Sequence, residues 1–144
     1  MQEIKTGYGL SPAVLIAPAL YTADTTPVSV DCAGYDGATV CLVIGAGGIT
    51  FSGTNKIEFV LEHSEDNSTW ANVTTADMIG VTIASGGIIR ALVAAKAAAD
   101  VVLYRYKGPR QYLRLTADFS GTHGTGTGIS AALIRGNSAV PVTA

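Results

Sequence analysis

Between Val28 and Arg135 the chain is built of short apolar runs, several of them alternating with polar residues at every second position, cut by Gly, Ser, Thr, Asn and Asp. Alternation of period two is what a half-buried strand requires, because successive side chains leave a strand on opposite sides. It is cleanest at 56–63, where Ile57, Phe59 and Leu61 oppose Lys56, Glu58 and Glu62, and at 111–118, where Leu113, Leu115 and Ala117 oppose Tyr112, Arg114 and Thr116. Further strands are predicted at 28–34, 38–45, 79–84, 88–93, 101–107 and 129–135. Helix is confined, at most, to a turn near Thr75 to Met78 and another near Ala94 to Ala99. Eight short strands with frequent turns predict an all-β fold, an antiparallel β-sandwich of jelly-roll-like form.

The turn residues sharpen this expectation. Asp36-Gly37 is a favoured two-residue hairpin loop. Pairing Tyr35 with Ala38 would continue through Ala33 with Val40 and place Cys32 opposite Cys41 at a non-hydrogen-bonded site, close enough for their thiols to touch. With no secretion signal, reduced thiols acting as small core hydrophobes are expected rather than a disulfide. Ser85-Gly86-Gly87, Lys107-Gly108-Pro109-Arg110 and the acidic stretch Glu65-Asp66-Asn67-Ser68 ahead of Trp70 are the other turns. Residues 1–27, with Pro12, Pro18 and Pro27 and no strand alternation, read as an extended N-terminal arm. Being apolar, the arm lies against its own domain or a neighbouring subunit, with Leu15 and Ile16 as candidate contacts. Residues 28–144 then form a single β-sandwich domain.

Charge is scarce. Only 14% of the 144 residues are charged, against about 25% in an ordinary globular domain, while 48% are hydrophobic. Such a surface is expected to be covered by assembly. The net charge of −2 argues against nucleic acid as the main partner, since that task calls for a basic excess. The apolar segment 11–20 is broken by two prolines and lacks a basic leader, so neither a signal peptide nor a membrane span is expected. The sequons at Asn67 and Asn72 are read as turn residues.

Few residues could carry chemistry. Val40 to Gly48 imitates the strand and glycine turn of a dinucleotide site, but the β-branched stretch that follows is no helix. The segment Gly121-Thr122-His123-Gly124-Thr125-Gly126-Thr127-Gly128 lacks the Gly-Lys-Ser/Thr ending of a phosphate loop and reads as a loop between the last two strands. His63 and His123 with Cys32 and Cys41 match no compact zinc spacing, and adjacent His63 and Ser64 do not make a base and nucleophile. Glu58 and Glu62 share a strand face and read as solvated. No catalytic residue, cofactor or metal is expected. The candidate binding surface is the run of rings and cations Tyr104, Arg105, Tyr106, Lys107, Arg110, Tyr112 and Arg114, predicted on one hairpin, since Tyr and Arg dominate protein interfaces; Trp70 joins it.

The stretch Glu62-His63-Ser64-Glu65-Asp66-Asn67-Ser68-Thr69-Trp70 resembles a hairpin of small virion proteins of tailed bacteriophages. Val30 to Asp36, Tyr106 to Arg114 and Phe119 to Gly126 resemble the same group, in the same order. The resemblance implies a head decoration, or cement, protein: a β-sandwich subunit, often a homotrimer, that binds the major capsid protein on the outside of the phage head after synthesis in the bacterial cytoplasm, without enzymatic activity. A neck or tail subunit of the virion is one alternative. A carbohydrate-binding or adhesive module is another, with Trp70 and the tyrosines as sugar platforms.

Overall fold

The computed structural model describes residues 9–46 and 48–138. It is all-β, as expected, with two antiparallel sheets packed over one core. In chain order the strands are β1 (Ser11–Tyr21), β2 (Val30–Asp31), β3 (Tyr35–Ile44), β4 (Lys56–Ser64), β5 (Ala71–Asn72), β6 (Met78–Ile79), β7 (Ile88–Leu92), β8 (Asp100–Tyr106), β9 (Tyr112–Ser120) and β10 (Thr127–Ser138). A single 3₁₀ turn, Thr75–Asp77, precedes β6, with Thr74 and Asp77 bonding reciprocally as a capping box. One sheet has the order β1-β10-β3-β8-β6; the other has β2-β9-β4-β5, with β7 also paired to β4.

Alternation along each strand decides which residues fill the core. Val40, Leu42 and Ile44 of β3 and Ile129, Ala131 and Leu133 of β10 point inward from the first sheet, against Ile57, Phe59 and Leu61 of β4 and Leu113, Leu115 and Ala117 of β9. Most of these are wholly buried. Each buried Leu, Ile or Phe stabilises the fold by about 1.5–3 kcal/mol relative to exposure. An Arg90 to Asp100 ion pair at 2.6 Å ties β7 of one sheet to the start of β8 in the other.

Four sequence expectations are corrected. The N-terminal segment is not an arm where it is described: Ser11–Tyr21 is an edge strand paired with β10 from Ser11↔Arg135 to Tyr21↔Thr127. Two register shifts, between Val14 and Ile16 and between Ile16 and Ala19, erase the period-two pattern and let consecutive Leu15 and Ile16 both bury. Asp24 and Thr25 then bond to the backbone of β9, at Phe119 and Ala117, so this segment stitches the two sheets together. Asp36-Gly37 lies inside β3, not in a hairpin. The turn comes earlier, at Ala33-Gly34, closed by Tyr35 N–H to Cys32 carbonyl at 3.1 Å with Gly34 at φ +85. This sends β2 and β3 into different sheets, so Cys32 and Cys41 do not pair, and both are free thiols. Between 79 and 84 only Ile79 is strand, because Gly80 at φ +75 turns the chain out of the sheet. No helix forms at Ala94 to Ala99; so short a run cannot repay the cost of helix nucleation.

Candidate interaction face

The outer surfaces of the two sheets differ in chemistry. On the β4–β9 face two cations are paired with carboxylates, Lys56 Nζ with Glu58 Oε1 at 2.8 Å and Arg114 Nε with Glu62 Oε2 at 2.7 Å, and Asp118 adds a further charge opposite Glu58. The Arg114 guanidinium also lies over the Trp70 ring, 4.2 Å from its centroid. Glu58 and Glu62, both on this face, are therefore each committed to a cation rather than poised as an acid and base. This is a surface arranged for water.

The face of the other sheet is built differently. Register places Pro12, Ile134, Thr39, Arg105 and Ile79 in one row across β1, β10, β3, β8 and β6. The next row is Val14, Ala132, Cys41 and Leu103, and the third is Ser130, Val43 and Val101. All point away from the core, since their strand neighbours are the buried ones. Arg105 carries the single formal charge among them. Val14, Ile79, Val101 and Leu103 are each more than half exposed. Four long strands about 4.8 Å apart, seven residues long at about 3.3 Å each, span on the order of 450 Å². That is within the range of functional patches on monomers, about 300–600 Å².

Glycines shape both ends of this face. At one end Gly45 and Gly128 lie side by side, Gly45 N–H donating to Gly128 carbonyl at 2.8 Å. With Leu20, Val43 and Ser130 they line an uncharged depression of about 400 Å³. At the other end Gly37 pairs with Gly136 under a second depression of about 410 Å³, which Arg105 and Lys107 border.

The residues singled out from sequence are dispersed. Leu15 and Ile16 belong to this chain's own core. Tyr104 and Tyr106 are also buried. The stretch from β8 to β9 is not a hairpin but a crossing between sheets, so Arg105 faces out of one sheet while Tyr112 and Arg114 face out of the other. Arg110 sits in the crossing, half-buried, and its backbone N–H donates to the Tyr106 hydroxyl at 3.2 Å. That hydroxyl lies 2.8 Å from His63 Nδ1. The hydroxyl oxygen accepts from Arg110, and its own proton is available for donation to Nδ1 of a neutral His63 imidazole. Burial raises the Tyr106 phenol to about 12 and lowers the His63 imidazole. His63, Tyr106 and Arg110 thus form a polar brace between the sheets.

The acidic turn before Trp70 has a local explanation. Asp66 accepts hydrogen bonds from the backbone N–H groups of Thr69 and Ser68 and from the Ser64 hydroxyl, which hold its carboxyl down at about 2. Ser64 is thereby occupied with Asp66, and His63 with Tyr106. In the glycine-rich stretch, His123 is buried against Phe119 and bonds the Ser120 carbonyl at 2.8 Å. Among the described residues no group of three His, Cys, Asp or Glu could hold a metal ion.

No family model, curated protein or solved structure matches the chain. The apolar outer face was missed in the sequence reading because its members come from five strands far apart in the chain. One signal was present: 38–45 and 129–135 are apolar at nearly every position, the pattern of strands covered on both sides.

Proposed function

We propose that this chain is a non-enzymatic structural subunit of a virus particle, of the head-decoration type, held on the outside of a capsid lattice by the outer face of its β1-β10-β3-β8-β6 sheet. The observation that carries the reading is the asymmetry of the two outer faces: one is covered with charged side chains, Lys56, Glu58, Glu62, Arg114 and Asp118, while the three rows of the other expose Val14, Ile79, Val101 and Leu103 with Arg105 as their one charge. Covering that face removes apolar area from water, at about 25 cal/mol per Å². The resemblance of the stretches 30–36, 62–70, 106–114 and 119–126 to small phage virion proteins points the same way. A protein that binds the assembled lattice but not its separated subunits shifts the equilibrium toward the lattice, so the stabilisation needs no chemistry. Lys56, Arg90, Lys96 and Arg114 are each paired with a carboxylate, and the net charge of −2 supports a role without nucleic acid. The Arg114 cover over Trp70 speaks against a sugar platform there.

Light scattering on the purified protein, followed by co-sedimentation with empty capsid shells of the virus that encodes it, tests the reading. A self-associating protein, trimeric for preference, that saturates the shells supports it. A well-behaved monomer that leaves the shells bare overturns it. Quantitative mass spectrometry of whole particles separates the head from the neck or tail: hundreds of copies mean decoration, a few rings' worth mean the latter.

A further inference from the structure

The glycine-floored depression at one end of the apolar face has a different chemistry from the rest of that face. Gly37 and Gly136 face each other across β3 and β10, so the sheet there has no side chains to fill its outer surface. A Cβ built on Gly37 would meet nothing within 4 Å, whereas one on Gly136 would meet Leu10. The space is walled by Leu10, Thr39, Ile79 and Ile134 and bordered by Arg105 and Lys107. Asp36 is the carboxylate at its edge, and among the described residues it makes no ion pair with either cation.

We infer that this depression receives an apolar side chain of the partner protein with a carboxylate next to it, the apolar group seated over Gly37 and the carboxylate meeting Arg105 and Lys107. The inference rests on the docking role proposed above and names the chemistry of the partner. A second copy of this chain does not fit face to face. The three outward rows hold no carboxylate to meet Arg105 in a second copy laid face to face. That buries a guanidinium unpaired, which is costly. A partner that supplies the missing charge removes that difficulty.

The test measures co-sedimentation with the same empty shells for the wild type, Arg105→Glu, Gly37→Leu and, as a control in the turn ahead of Trp70, Thr69→Glu. Gly37 has a negative φ and open space above it, and Arg105 and Thr69 are exposed, so all three variants are expected to fold, as thermal melts verify. The expected result is at least a tenfold loss of shell affinity for both Arg105→Glu and Gly37→Leu, with Thr69→Glu unchanged. Wild-type affinity in either of the first two overturns the inference while leaving the decoration reading intact. A wild type that does not bind at all overturns the decoration reading and the inference with it.

Discussion

Replacing Tyr106 by Phe removes one oxygen and breaks the brace between the sheets. Two groups lose their partner: the His63 imidazole, buried between β4 and β8, and the Arg110 backbone N–H in the crossing. The consequences are unequal. Arg110 is half-buried and lines a depression of about 230 Å³, so solvent can take the place of the hydroxyl at its N–H and the cost there is small. Among the described residues His63 Nδ1 has no other hydrogen-bond partner, and it bears the desolvation cost of a buried unsatisfied group, about 1–3 kcal/mol. The hydrophobic contact of the ring is kept. A total near 2 kcal/mol follows, and for 144 residues with an unfolding entropy of about 2.1 cal/mol/K per residue, Tm should fall by about 6–7 °C. Differential scanning calorimetry at pH 7.5 measures it, with urea titration as a second readout. A shift under 2 °C would refute the reasoning, because it would mean that His63 is satisfied without Tyr106 and that the hydroxyl does not hold the sheets.

Three further outcomes follow from the same description. Burial is the main cause lowering the His63 imidazole; Asp77 opposes it, Arg110 adds to it and Glu65 opposes it. The unfolded chain therefore binds a proton near pH 6.5 that the native chain refuses until lower pH, so this stability is complete above pH 6.5 and is lost as pH falls below it, by at most about 1.4 kcal/mol per pH unit; His63→Gln should flatten that part of a urea-derived stability profile between pH 7 and 5. Gly121 has φ +82, and an added Cβ would collide with Asn55 Oδ1 and lie 2.8 Å from the Thr54 carbonyl, so Gly121→Ala should cost about 1–3 kcal/mol and lower Tm accordingly, which an unchanged melt would contradict. Burial pushes the Cys32 thiol up to about 11, leaving about one part in a thousand as thiolate at pH 8, so peptide mapping after brief iodoacetamide treatment should find Cys32 unmodified until denaturant is added.

How much of this was legible in the sequence depended on how regularly each strand alternates. The segments 56–63 and 111–118 were read nearly as they stand because β4 and β9 pair with each other without a register break from Lys56↔Ser120 to Ser64↔Tyr112, so every second residue is core. β1 was invisible as a strand: its bulges put Leu15 and Ile16 inward together, and its prolines, tolerated on an edge strand, read as an interruption. The Asp36-Gly37 dipeptide carried a true turn preference that lost to its neighbour, Ala33-Gly34, since a turn there leaves Ala38, Val40, Leu42 and Ile44 all facing the core. The tyrosine and arginine cluster failed for a topological reason. Local sequence suggested a hairpin between 106 and 112, but the chain changes sheets there, which no local pattern encodes.

The pairing of β1 with β10 joins positions 124 residues apart, Ser11 and Arg135. During synthesis β1, whose one sheet partner among the described residues is β10, must wait unpaired until residues 127–138 have left the ribosome. Contacts of such sequence separation slow folding, and a waiting strand edge invites pairing with other nascent chains. The prolines at 12 and 18, which withhold backbone N–H donors along β1, therefore guard the interval between translation and completion of the sheet.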